Sequence, residues 1–233
     1  MTTDYTATYD PDADFDRRYT LASAARIGTR ITAGARVLEL GCATGLMTSV
    51  LADGTIELIG VDRSAEYLER ARARRLPGAK FRQGDLDPMT VDIGGDFDHV
   101  LATNVLGDLL DPVRFLRAAR ERLAAEGLLH LTVPNPHSIH RLCALELGLI
   151  GSLTEISDRG EQWGTRAMWT AEELERLVSQ AGLATVAKEG IMLKPLPNAM
   201  MAELPDTVIE GFIRASRQLP DNCAMTYLVL GRA

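Results

Sequence analysis

A chain of 233 residues holds one domain with a sizeable core, with or without an insertion. Hydrophobic residues at 46% and charged residues at 24% are ordinary for a soluble globular protein, and the net charge of −7 argues against nucleic acid or an anionic membrane as the main partner. Cys42, Cys143 and Cys223 are odd in number and lack metal-ligand spacing, no apolar run reaches the length of a membrane span, and the start lacks a signal-peptide pattern, so a reduced, cytoplasmic protein without a metal site is expected.

The acidic stretch 2–14 has no apolar period. It reads as disordered or, with Tyr5, Tyr9, Phe15 and Tyr19 in and beside it, as a flap, and it continues into a helix over 15–31. Strands are expected at 36–40, 56–61, 79–83, 98–102 and 127–133, alternating with helices, the pattern of a parallel sheet with both faces covered. Before the last of these, Asp111 caps a helix with Pro112 at its first position. Val113, Leu116, Ala119 and Leu123 point inward from it, and Gly127 follows its end. Pro134-Asn135-Pro136 then forces an extended exit into an apolar-faced helix over 137–150, followed by a polar stretch over 151–165. Thr170-Ala171-Glu172-Glu173 is a capping box for a helix ending at Gly182. A strand near 184–192, a helix near 199–219 and a strand near 224–231 complete one domain over 1–233, with a lid at about 134–169.

The stretch Val37-Leu38-Glu39-Leu40-Gly41-Cys42-Ala43-Thr44-Gly45 is an apolar strand running into a glycine-bounded turn, and the next strand ends at Asp62. Such a turn lets backbone approach a ligand, and a carboxylate at the second strand tip accepts hydrogen bonds from ribose hydroxyls. The turn carries no Lys or Arg and departs from G-x-G-x-x-G, which favours a nucleoside-containing ligand without phosphates over NAD. Glu39, Gly41, Asp62, Asp85 and Asn104 all fall at strand ends, where an open parallel sheet binds its ligand. Each has a plainer explanation as well: Glu39 as a counter-charge to a helix N-terminus, Asp62 as a cap competing with Ser64, Asp85 as a turn former.

The order of these features resembles the class I S-adenosylmethionine-dependent methyltransferases. It runs from Val37–Gly45 through Asp62, Gly84-Asp85-Leu86, Phe97–Leu106 and Asp111-Pro112 to Gly127–Asn135. Pro134–Leu142 further resembles the small-molecule branch of that family, the methyltransferase type 11/12 and ubiquinone-type relatives. The resemblance implies a Rossmann-like, seven-stranded, mostly parallel sheet with helices on both faces, an antiparallel final strand and a helical lid after the fifth strand. It implies S-adenosylmethionine as cofactor, held at Tyr19, Glu39, Gly41, Cys42, Ala43, Gly45, Asp62, Arg63, Asp85, Leu86 and Asn104. Two departures stand out. Ala43 replaces the middle glycine of the turn, and Gly107-Asp108 stands where that branch has Glu-His.

A hydroxyl acceptor benefits from a general base. His99 and His130 lie inside expected strands and read as structural. His137 and His140, three apart after the fifth strand, are the candidate bases, although a surface pair is an equal reading. A base of this kind would lose activity below pH ~6.5. Glu146 or Asp158 is the candidate for orienting one of them. Arg141, Trp163 and Trp169 are candidate substrate contacts, the tryptophans either stacking on a substrate or pinning the loop to the core. The expected function is methylation of a small metabolite by a monomer or homodimer, oxygen favoured over nitrogen. Non-catalytic cofactor binding and use of the pocket for other chemistry are the alternatives.

Overall fold

The computed structural model describes residues 9–87, 89 and 91–233; Tyr5 of the expected flap lies outside the described residues. In chain order the elements are α1 (Arg17–Gly28), β1 (Arg36–Leu40), α2 (Leu46–Leu51), β2 (Glu57–Asp62), α3 (Ala65–Ala73), β3 (Ala79–Gln83), β4 (Phe97–Thr103) and α4 (Pro112–Glu121). There follow β5 (Leu123–Pro134), α5 (Ile139–Glu146), α6 (Asp158–Gln162), α7 (Ala171–Gln180), β6 (Leu183–Leu193), α8 (Asn198–Met201), α9 (Asp206–Ala215) and β7 (Cys223–Arg232).

The seven strands form one sheet in the order β3-β2-β1-β4-β5-β7-β6. All pairs from β3 to β5 are parallel, and β7 is inserted antiparallel between β5 and β6. β6 therefore points the same way as β5 and ends at the same edge of the sheet. Strand alternation builds a core on each face. Leu38, Leu40, Val100, Ala102, Leu129 and Leu131 meet Phe115, Leu116, Leu174 and Val178 of α4 and α7. Val37, Leu58, Leu101 and Val229 meet Ala24, Ile27, Met47 and Ile209 of α1, α2 and α9. Among the described residues no helix is long and apolar enough to cross a membrane.

Several boundaries differ from the sequence reading. The helix expected to run nearly to Gly127 stops at Glu121, because Leu123 already pairs with Phe97. A register shift follows in which Gly127 sits where a Cβ would lie 2.6 Å from the Phe97 carbonyl oxygen. The helix expected over 199–219 is broken into α8 and α9 at Pro205, which supplies no N–H and ends the first segment. The helix expected over 137–150 is confined to Ile139–Glu146. The polar stretch after it holds the short α6, capped by the Ser157 hydroxyl, which accepts from the Gly160 N–H. Two histidines read as structural form one buried chain: His99 Nδ1 lies 2.9 Å from His130 Nε2, and His130 Nδ1 lies 2.8 Å from the Tyr227 hydroxyl.

Candidate active site

The strand order reverses between β1 and β4, and a cavity of about 390 Å³ opens at the carboxyl ends of the strands at that switch point. Its first wall is the turn after β1. Gly41, Ala43 and Gly45 take φ values of 81°, 44° and 72°. A Cβ on Gly41 would lie 2.3 Å from Val105 Cγ1, so glycine is required for conformation and for space. Ala43 tolerates the left-handed region as the smallest side chain with a Cβ. Its N–H donates to Asp62 Oδ2 at 2.9 Å, while the Ser64 N–H donates to Asp62 Oδ1 at 2.9 Å. Asp62 thus holds the turn and faces the cavity, its pKa raised by burial.

Glu39 lies on this wall 2% exposed, with the Thr48 hydroxyl donating to Oε2 at 2.5 Å. Burial, opposed only in part by that bond, pushes its pKa up to about 8. A carboxylate so placed suits a cationic group of a ligand. Cys42 and Asn104 line the same cavity, Asn104 with φ 56°, a conformation that asparagine adopts more readily than most residues. Arg63, Asp85 and Leu86 do not face the main cavity. They line a neighbouring recess of about 110 Å³ that shares Gly41, Asp62, Val105 and Asp108 with it.

The opposite wall comes from the ends of β5 and β6, the start of β7, and α1. Asn135 Nδ2 donates to the Asp221 and Cys223 carbonyl oxygens at 2.9 Å each, and Asn135 Oδ1 accepts from the His137 N–H at 3.0 Å. This fixes the chain's exit from β5. His137 is exposed and lies outside the cavity as a turn residue, so the two candidate histidines do not share a face over the pocket. His140 does line it. Its backbone N–H donates to the Lys194 carbonyl oxygen at 3.1 Å, and its buried Nδ1 has no hydrogen-bond partner. Burial, then the charges of Lys194 and Arg141, push the His140 pKa down to about 3, well below the pH ~6.5 expected of an ordinary imidazole. Neither Glu146 nor Asp158 lines the cavity.

Tyr19 lines the cavity beside Lys194, whose Nζ lies 5.9 Å from its ring centre, and its hydroxyl donates to Asn198 Oδ1 at 2.9 Å. Arg141 also lines the cavity, yet its guanidinium is occupied by the Leu153 and Glu155 carbonyl oxygens at 2.8 and 2.6 Å, which shapes the lid. The two tryptophans part company. Trp163 faces the cavity between the Tyr9 ring, at 4.4 Å, and the Arg159 guanidinium, at 4.1 Å. Trp169 packs against the core and does not reach the cavity.

Sequence reasoning missed Asp16, Lys194 and Asn198, which meet here from two separate stretches of chain. It also missed the role of Gly107-Asp108, where the lid returns to the body. The Gly107 carbonyl oxygen accepts from the Arg166 and Ala167 N–H groups at 2.7 and 3.2 Å, and Asp108 Oδ1 accepts from the Thr165 hydroxyl at 3.1 Å. The unusual dipeptide was a visible signal, but nothing in the sequence named the segment it meets.

A family model described as a methyltransferase domain matches residues 13–188. A trans-aconitate 2-methyltransferase from Deinococcus radiodurans is 37% identical over 112 residues, 46% of this chain and 42% of that protein. A ubiquinone biosynthesis O-methyltransferase from Chelativorans sp. is 30% identical over 169 residues, 70% of this chain and 64% of that protein. The match thus spans less than two thirds of either relative. Among solved structures, the complex of the Haloferax volcanii Trm112 methyltransferase activator with a methyltransferase contains a chain of similar fold. The TM-score is 0.67 at 20% identity, over 98% of this chain and 96% of that one.

Proposed function

The chain belongs to the class I S-adenosylmethionine-dependent methyltransferase family, and on that premise we propose that it transfers a methyl group to an oxygen of a small molecule held in the cavity beneath the lid. The observation that carries this reading is a single cavity with two unlike walls. One is the Gly41–Gly45 turn with the buried Glu39 and half-buried Asp62 carboxyl groups; the other holds His140 and Lys194 under a lid bearing Trp163.

The first wall fits S-adenosylmethionine. A Cβ on Gly41 would close the turn's approach, and Glu39 is a buried carboxyl group with one hydrogen bond and a raised pKa, complementary to a ligand with cationic groups. Glu39 and the turn would hold the methionine part, Asp62 the ribose, and Asp85 with Leu86 the adenine in the adjoining recess. When bound, the cofactor supplies a methyl group activated by a sulfonium. The chain's own contributions are alignment, exclusion of water and a place for the proton. Tyr9, Pro11 and Trp163 line the cavity, and His140, neutral at physiological pH, is a hydrogen-bond acceptor available to a hydroxyl.

The test pairs binding with turnover. S-adenosylhomocysteine should bind and NAD should not, and Asp62→Ala should weaken S-adenosylhomocysteine by about 1–3 kcal/mol, the loss of hydrogen bonds to a charged acceptor. Unchanged calorimetric affinity in Asp62→Ala would remove that residue from the site. Transfer of labelled methyl groups into the small-molecule fraction of a metabolite extract, with O-methyl products, checks the activity itself.

A further inference from the structure

Lys194, the first residue after β6, is 9% exposed and lines the cavity. Among the described residues its Nζ has no hydrogen bond or ion pair, and its one close neighbour of note is the Tyr19 ring. Burying an ammonium without a partner is unfavourable, and cavities that hold such a group are made to hold its counter-ion. None of the described groups around it forms an ion pair with it. Asp16 attracts Lys194 only from a distance, its carboxyl accepting instead from Asn198 Nδ2 at 2.7 Å. Arg159 is paired with Asp14, so its charge is answered elsewhere. Arg141, whose charge also acts on Lys194, gives an Nε and an Nη2 hydrogen bond to carbonyl oxygens and keeps its charge. His140, beside it, is neutral. This wall is therefore locally cationic in a chain whose net charge is −7.

We propose that the methyl acceptor carries a carboxylate and that the Lys194 ammonium binds it at the β6 end of the cavity. The proposal rests on the methyl-transfer reading above and narrows its substrate class. A carboxylate satisfies several donors at once and forms charge-assisted bonds with an ammonium. A neutral acceptor that filled the cavity would leave Lys194 dry and unpaired, and a cationic one would be repelled. The opposite wall holds the Glu39 and Asp62 carboxyl groups, which a bound cation would keep ionised, so the two walls sort a cationic ligand from an anionic one within the same cavity.

The experiment uses the whole chain with benzoate and its neutral counterpart benzamide as probes, with and without saturating S-adenosylhomocysteine. Benzoate should bind the wild type more tightly than benzamide by about ten- to a hundredfold, the worth of a charge-assisted bond. Lys194→Gln should abolish that preference while S-adenosylhomocysteine affinity is unchanged, and Lys194→Arg should retain it. The Lys194→Gln protein should melt at the same temperature as wild type or higher, since an unpaired buried charge is removed. Equal binding of the two probes to wild type would overturn the proposal, as would a preference for benzoate that survives in Lys194→Gln. A drop in melting temperature of Lys194→Gln matched by Asp16→Asn would overturn it too, by making Lys194 the structural counter-ion of Asp16. A benzoate preference without any S-adenosylhomocysteine binding would instead sink the methyl-transfer reading and leave the anion subsite standing.

Discussion

His140 stays neutral because burial and the positive charges of Lys194 and Arg141 push its pKa down to about 3. So weak a base does little to a resting hydroxyl, but an oxygen that is gaining a methyl group becomes strongly acidic, and a weak acceptor then suffices. Turnover should accordingly show no loss centred near pH 6.5. His140→Gln should slow it by roughly 10²–10⁴-fold with S-adenosylhomocysteine binding intact. A wild-type profile that falls near pH 6.5 and flattens in His140→Gln would show an ordinary imidazole and reject the buried, neutral assignment. At this scale the sequence exposed the residues that sit at strand tips. Glu39, Gly41 and Asp62 could be placed because apolar runs end at them. Lys194 and Asn198 could not, because a lysine after an apolar run has many uses, and their partners Tyr19 and Asp16 lie far away in the chain. His137 and His140 look equivalent by spacing. The turn that Asn135 makes with the His137 N–H turns one outward and leaves the other in the cavity.

The segment before α1 is held over the cavity by charge. Arg70 meets Asp10 and Asp12, each at 2.6 Å, Arg74 meets Asp12 at 2.5 Å, and Arg159 of the lid meets Asp14. The Tyr67 hydroxyl adds a bond to the Tyr9 carbonyl oxygen at 2.7 Å. Each of these ion pairs is partly exposed and worth about 0–1 kcal/mol, so their hold depends on acting together and weakens with salt. An Arg70→Ala, Arg74→Ala double variant should be cleaved faster than wild type within residues 9–16 in limited proteolysis, and S-adenosylhomocysteine should slow cleavage of both. Identical cleavage of wild type and variant, with or without ligand, would show that these pairs do not close the segment. Elements of the sheet were legible from apolar runs and their punctuation, and the capping box at Thr170 forms as its residues suggest. The helix over 199–219 failed because an apolar period was followed through Pro205. The end of α4 was misjudged because Ala124-Ala125-Glu126 favours helix locally, whereas pairing of Leu123 with Phe97 draws the chain into β5.

Across the whole molecule the buried titratable groups pull stability in opposite directions with pH. His130 and His140, both pushed down to about 3, contribute stability that is present above about pH 6.5 and is lost as pH falls toward 3. Asp108, raised to about 6, acts only below that value. Lys194, lowered to about 8, gives a gain in stability only as pH rises above 8 toward its ordinary value. Glu39, raised from 4.5 to about 8, contributes stability that is present below its unfolded pKa and is lost as pH rises through 8. Between pH 6.5 and 8 the Glu39 carboxyl is therefore the one of these groups still changing the balance, and the urea midpoint of the free protein should fall across that window. The limiting slope for one proton is about 1.4 kcal/mol per pH unit. Glu39→Gln should flatten the window, since an amide does not titrate. A cationic ligand seated against Glu39 should keep the carboxylate charged in the folded state, so saturating S-adenosylmethionine should flatten it as well, and its binding below pH 8 should release protons, detectable by calorimetry in buffers of different ionisation enthalpy. A decline over pH 6.5–8 that persists unchanged in Glu39→Gln would locate the titrating group elsewhere. Binding without proton release would mean that the ligand's cation does not lie against Glu39.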